Sequence, residues 1–251
     1  MQKLSLTKKY ATYPEYKDSG VEWVGDVPKH WKIERLKYAA PLYSKKMPGK
    51  NGLGTYVALE NVESWSGRHV PSQDIVEPES IVNVFSRDDV LFGKLRPYLA
   101  KVFQPDFEGT STGEFLVLRP TKKISKKYLF YRLLSPEFIK TVNDSTYGSQ
   151  MPRANWSFIG NLPTPIPEFT EQEKIAKFLD EQTARIDETI AKKQKLIELL
   201  KEKRTATINH AVTKGLDPNA ELVDSGIDWI GKIPKGWNVS SLKTLLVSKI
   251  T

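Results

Sequence analysis

Apolar residues recur at helical spacing along one long stretch of the chain. Ile175, Leu179, Ile186, Ile190, Ile197, Leu200 and Ile208 form a stripe that Phe178, Leu196 and Leu199 widen, the pattern of an amphipathic helix. No Pro or Gly interrupts it between Thr170 and Val212. Thr170-Glu171-Gln172-Glu173 has the Thr-x-x-Glu form of a capping box, and Lys214-Gly215-Leu216-Asp217-Pro218 supplies a stop. About 40 residues at roughly 1.5 Å each predict a rod on the order of 60 Å long. A single apolar stripe needs a partner, and a second long helix is the usual one. Gln182 and Lys193 break the stripe, so the predicted coiled coil is imperfect.

Before the rod the period changes. Thr55–Leu59, Ile81–Phe85 and Phe115–Leu118 read as strands. Asp88–Phe103 reads as two strands about a tight bend carrying Lys94, Arg96 and Lys101. A helix is expected from Ser125 to Leu134, with further turns over Glu137–Val142. Lys45–Gly52 is a basic, breaker-rich loop, Gly109–Glu114 a small polar loop, and Tyr147–Trp156 an extended polar loop. Leu162-Pro163-Thr164-Pro165-Ile166-Pro167 is expected as a stiff connector. Together these predict a mixed α/β (α+β) domain followed by one long coiled-coil helix.

The chain also repeats itself across the rod. Asp18-Ser19-Gly20-Val21-Glu22-Trp23-Val24-Gly25-Asp26-Val27-Pro28-Lys29-His30-Trp31 returns as Asp224-Ser225-Gly226-Ile227-Asp228-Trp229-Ile230-Gly231-Lys232-Ile233-Pro234-Lys235-Gly236-Trp237. The match runs on without a gap to Leu36-Lys37 against Leu242-Lys243. Most differences conserve shape, which marks an internal duplication. Trp23 and Trp31, being matched in the second copy, read as structural anchors rather than base-stacking platforms.

Composition narrows the function. Basic residues number 38 against 30 acidic, a net charge of +8, and most of the excess precedes Thr170. That favours a polyanionic partner without requiring one. Cysteine is absent, which excludes disulfides, thiolate zinc sites and a cysteine nucleophile. With no signal peptide and no membrane-length apolar run, a soluble, cytoplasmic protein with no membrane partner is expected.

Enzyme chemistry is not visible. His30, His69 and His210 lack metal-ligand spacing, and no Gly-x-Gly fingerprint, phosphate loop or nucleophile elbow occurs. Asp217-Pro218-Asn219-Ala220 lacks the aromatic that an amino-methyltransferase loop needs against a flipped base. Glu15-Tyr16-Lys17 and Pro105-Asp106 stand in the wrong order for nuclease carboxylates. The chemistry present suits DNA instead. Lys94, Arg96 and Lys101 are candidates for phosphates, and Gln150, Arg153 and Asn155 for base edges, Gln and Asn matching adenine and Arg guanine. Thr112 lies in a loop whose hydroxyl and amide donors fit either phosphate contact or an ordinary hairpin connection. Arg96 and Asn155 have an alternative as braces of their hairpin and loop. Lys122–Lys127 is a basic run of the kind that usually faces solvent.

Three features carry a family resemblance: the Asp-Ser-Gly-x-x-Trp-x-Gly-x-x-Pro-x-x-Trp opening, Val90-Leu91-Phe92-Gly93-Lys94-Leu95-Arg96-Pro97, and the Pro-rich lead into Glu171-Gln172-Glu173-Lys174-Ile175-Ala176. With them the chain resembles the specificity subunit of type I restriction–modification enzymes from about Tyr13 onward. The resemblance implies a non-catalytic, DNA-binding subunit that reads one half of a bipartite site in double-stranded DNA. It further implies docking to modification (methyltransferase) subunits, indirect contact with a restriction subunit, and adenine methylation and ATP-driven cleavage by those partners. S-adenosylmethionine, ATP and Mg would belong to the partners and none to this chain. On this reading residues 1–16 are an arm, 17–169 the target recognition domain, 170–212 the spacer helix and 213–251 the start of a second, truncated half.

A complete member has two recognition domains and two antiparallel helices, whereas this chain has one of each. The unpaired stripe therefore predicts a homodimer reading a palindromic bipartite site; a truncated chain and pairing with a different half fit as well. The expected subunit interface comprises Ile175, Leu179, Ile186, Ile190, Ile197, Leu200 and Ile208, with Trp23 and Trp229. The rival readings are a coiled-coil assembly or antirestriction decoy that binds modification subunits without reading DNA, and a stand-alone nuclease.

Overall fold

The computed structural model describes residues 13–49, 54–71, 80–148 and 150–247, and the chain divides into two compact units, Met1–Glu181 and Gln182–Thr251. Most of the expected arm and the end of the Lys45–Gly52 loop lie outside the described residues.

The first unit opens with β1 (Tyr16–Asp18) and β2 (Asp26–Pro28), an antiparallel pair. Next come β3 (Lys32–Arg35), α1 (Leu36–Ala39), β4 (Lys46–Pro48) and β5 (Thr55–Val57). β6 (Ile81–Phe85), β7 (Val90–Gly93), β8 (Val102–Phe103), β9 (Gly109–Ser111) and β10 (Phe115–Leu118) follow. Then come α2 (Lys126–Leu134), α3 (Pro136–Asp144), α4 (Trp156–Ile159) and β11 (Pro163–Ile166). α5 (Phe169–Lys214) starts in this unit and continues into the second, where β12 (Leu222–Asp224), β13 (Lys232–Pro234) and α6 (Leu242–Val247) complete the chain.

Two apolar strands set the layering. β10, β7 and β8 form one antiparallel sheet in that order, while β4, β6, β9 and β5 form a second in which only β9 and β5 are parallel. Side chains alternate faces along a strand, and here both faces are buried. Val90, Phe92, Leu116 and Leu118 enter a core with Leu129, Leu133, Phe138 and Ile159. Leu91, Phe115 and Val117 enter a second core with Val57, Phe85 and Phe103. Burial on both sides is why Val-Leu-Phe-Gly and Phe-Leu-Val-Leu are continuous apolar runs rather than alternating ones.

Several expectations are corrected here. Gly109–Ser111 is a strand inside the four-stranded sheet, so the polar loop shrinks to Thr112–Glu114. The Pro-rich connector is β11, paired antiparallel with β3 in a two-stranded sheet, where the amides missing at Pro163 and Pro165 have an unpaired edge to face. The Thr170 cap does not form as expected. α5 begins at Phe169, and the Glu168 carbonyl accepts from the Glu171 and Gln172 amides.

The residues after that start do other work. Glu171 accepts from the Tyr13 hydroxyl at 2.5 Å and Trp31 Nε1 at 3.1 Å, and lies 2.9 Å from His30 Nε2. Partial burial raises its pKa, but these partners outweigh burial and hold it below the usual carboxylate value. Tyr13, through burial and the Glu171 charge, is pushed up to about 12. Gln172 is fully buried, its Oε1 accepting from the Ser125 amide at 2.7 Å and its Nε2 donating to the carbonyls of Lys123 and Pro167. Glu-Gln at the helix start thus ties α5 to residues far away in sequence.

In the second unit the repeat is a structural one. β12 pairs β13 in the register of β1 with β2, Leu222 opposite Pro234 as Tyr16 is opposite Pro28. Asp18 Oδ1 accepts the Gly20 amide at 2.8 Å and Asp224 Oδ1 the Gly226 amide at 2.9 Å, with both glycines left-handed at φ +71 and +74. The Lys29–Glu15 and Lys235–Glu221 ion pairs are both 2.7 Å long. The duplication therefore begins three residues earlier than the matched text, at Glu15 and Glu221.

Candidate nucleic-acid interface

Three stretches remote in sequence are stitched together at the end of β7. The Lys94 amide donates to the Glu114 carbonyl at 2.9 Å, and the Arg96 amide to the Pro152 carbonyl at 2.7 Å. The Ala154 amide returns to the Lys94 carbonyl at 2.9 Å, while Arg153 and Tyr147 exchange both backbone hydrogen bonds. Asn83, buried on β6, anchors the Glu114 turn by donating to the carbonyls of Thr112 and Phe115. Residues 94–96, 112–114, 147–148 and 150–154 thereby share one surface.

The backbone there is unusual. Arg96 and Ala100, at φ +49 and +47, are both left-handed and flank a 3₁₀ turn over Pro97–Leu99. Non-glycine residues in this region cost on the order of 1 kcal/mol each and concentrate at functional sites. Exposed Arg96, Tyr98, Tyr147, Gln150 and Met151 surround partly buried Lys94, Thr112 and Arg153. The side chains of Lys94, Arg96 and Gln150 make no hydrogen bond or ion pair among the described residues. Open cations beside a glutamine are donors of the kind that can meet DNA phosphates and base edges.

The other candidates are already engaged. Lys101 turns inward, its ammonium donating to the carbonyls of Leu59 at 2.7 Å and Val62 at 2.8 Å, and burial lowers its pKa. Asn155 caps α4 by accepting from the Ser157 amide at 3.0 Å. The Thr112 hydroxyl faces the Glu114 amide at 3.4 Å. Arg153 pairs with Glu114 through Nε at 3.2 and 3.3 Å and through Nη2 at 3.1 Å, and this hydrogen bonding, with the carboxylate charge, raises its pKa. In the basic run, Lys123 pairs with Glu34, Lys127 with Asp180, and Lys126 donates to the carbonyls of Arg87 and Pro105. Glu114, Tyr98, Tyr147 and Met151 join the face without a local sequence signal, because only long-range pairing brings them there.

Along α5, Ile175 packs on the first core and Leu179 is partly buried. Ile186, Ile190, Ile197, Leu200 and Ile208 remain half exposed, between 48% and 58%. Trp23, expected at a subunit interface, packs edge-on against Phe138 with the Arg132 guanidinium 4.8 Å from its ring. Its counterpart Trp229 is 85% exposed. Among the described residues there is no metal-binding cluster and no helix long and apolar enough to cross a membrane.

The first unit is thus a mixed α/β domain that leads into a long helix and carries a basic polar face. Residues 80–199 match the family model of the type I restriction modification DNA specificity domain. The chain is 27% identical over 164 residues to the EcoDI type I restriction enzyme specificity subunit of Escherichia coli, covering 64% of this chain and 36% of that protein. It is 27% identical over 226 residues to the MjaVIII specificity subunit of Methanocaldococcus jannaschii, covering 88% of this chain and 50% of that one. Its fold is similar to the crystal structure of the HsdS subunit from Thermoanaerobacter tengcongensis, with TM-score 0.57, 20% identity, and 80% and 55% of the two chains covered. It is likewise similar to a chain from a structural study of complex assembly in the type I R-M system, with TM-score 0.62, 23% identity and the same coverages. The chain is thus similar to type I restriction–modification specificity subunits, and the family-model match spans residues 80–199. The chain spans half or less of the length of these two curated relatives.

Proposed function

We propose that this chain is the DNA-reading component of a type I restriction–modification complex, using one recognition domain for one half of a bipartite site. The observation that carries this is the convergence of residues 94–96, 112–114, 147–148 and 150–154 on one surface that holds open cations and a glutamine. Lys94 and Arg96 supply phosphate contacts, and Gln150 and Arg153 read base edges. α5 acts as a spacer whose exposed stripe pairs with a second copy of the chain. Modification subunits dock on the assembled protein and perform adenine methylation with S-adenosylmethionine; ATP and Mg serve the restriction subunit. The chain itself catalyses nothing.

Titrating duplex binding against salt tests the phosphate assignment. Lys94→Ala should weaken binding to every sequence and reduce the slope of log K against log salt by about one. Binding that is indifferent to sequence and to salt would leave only an assembly role and contradict the proposal.

A further inference from the structure

We propose that Glu114 is a positioning residue that aims Arg153 at a guanine of the recognised half-site, an inference that rests on the DNA-reading assignment above. A guanidinium offers two bidentate edges, one of Nε with Nη2 and one of Nη1 with Nη2. The Glu114 carboxylate takes the first, accepting from Nε at 3.2 and 3.3 Å and from Nη2 at 3.1 Å. The second edge has no partner among the described residues. Its two parallel N–H groups match the O6 and N7 acceptors that guanine presents in the major groove.

Both members of the pair are held by backbone. Arg153 exchanges hydrogen bonds with Tyr147 at 3.1 and 3.2 Å and bridges Leu95. Glu114 is fixed through its carbonyl to the Lys94 amide. An arginine tethered at one edge loses little rotamer freedom when the other edge engages a base. The charge balance points the same way. Arg153 and Glu114 together are neutral, so the pair gains little from the phosphate backbone and keeps its hydrogen-bond geometry for sequence. The open cations of Lys94 and Arg96 are the complementary case.

The test uses the full chain purified from its source cells with whatever subunits accompany it, presented with randomised duplexes at several salt concentrations. The wild type should prefer guanine at one position of its motif, with 7-deazaguanine there, which lacks N7, weakening binding about tenfold. Glu114→Ala should largely abolish that one preference. Because it uncovers the Arg153 charge, it should also leave affinity for unrelated DNA unchanged or raised, with a salt slope steeper by up to about one. Glu114→Gln, which keeps an acceptor, should fall between. Arg153→Ala and the double variant should lose the same position to the same extent. An unchanged preference in Glu114→Ala, or no penalty from 7-deazaguanine at any guanine, overturns the proposal. So does equal weakening on all duplexes with lowered thermal stability, which marks a structural brace. If the wild type selects no motif at all, the DNA-reading assignment itself fails, a result distinct from these.

Discussion

Asp89 is fully buried at the turn between β6 and β7, and its carboxylate holds Arg119 at 2.7 and 2.9 Å. It also accepts from the Ser86 amide and hydroxyl, while Arg119 lies 3.5 Å over the Tyr43 ring. Hydrogen bonding to the Asp89 carboxylate holds the Arg119 pKa well above its ordinary value. Breaking a fully buried pair costs about 3–5 kcal/mol, and because Arg119 retains some water, Asp89→Asn should cost roughly 2–3 kcal/mol in denaturant unfolding. A loss under about 0.5 kcal/mol, the range of ordinary surface changes, would show that the pair does not brace the turn. Nothing local distinguished Asp89 from Asp88, since the pairing partner stands thirty residues away. Residue types singled out Lys94, Arg96, Gln150 and Arg153 as candidates, and backbone pairing brings their segments together. Side-chain direction, which turns Lys101 inward and sets Asn155 on a helix cap, depends on tertiary neighbours that spacing does not reveal.

At the scale of elements, Glu171 is where the opening segment meets the start of α5. Its pKa is depressed, so its contribution is present above the unfolded-state carboxylate value and is lost as pH falls through the folded-state value. Tyr13 is raised, so its contribution is complete below the ordinary tyrosine value near 10 and fades as pH rises towards about 12. Glu171→Gln should lower stability at neutral pH by about 1–2 kcal/mol. In melting curves across pH it should flatten the acid limb and shrink the alkaline one. An acid limb identical to wild type would rule this tie out.

The duplicated tryptophans make a matched control. Trp23→Ala removes a ring packed on Phe138 and Arg132 and should cost roughly 2–3 kcal/mol, less than a fully buried aromatic. Trp229→Ala should leave the melting temperature of the isolated chain within about a degree. Equal losses would mean that Trp229 is covered. Elements were legible where a helical period or an unbroken apolar run marks them: α5, β6, β7, β10 and α2 lie close to their apolar patterns. β9 and β11 were not, because Gly-Thr-Ser and Pro-Thr-Pro-Ile carry turn-like composition and become strands only through the pairing partners β6, β5 and β3.

At the scale of the molecule, the α5 stripe from Ile186 to Ile208 is an apolar face that water only half leaves. A two-fold pair of such helices would bury it. Sedimentation at micromolar concentration should show a dimer that Ile190→Glu with Leu200→Glu converts to monomers, with the melting of the first unit unchanged. A wild-type monomer under those conditions would contradict the pairing. The stripe was readable in the sequence; its partner was not, because an unpaired face does not name what covers it.

The central claim is sequence-directed DNA recognition, and a methylome of the source cell with the gene intact and deleted tests it most directly. The account predicts that one gapped adenine motif vanishes on deletion, with two inverted, identical halves if the chain acts as a homodimer. An asymmetric gapped motif vanishing would keep the recognition role and replace the homodimer with a pairing of unlike halves. An unchanged methylome would contradict the account.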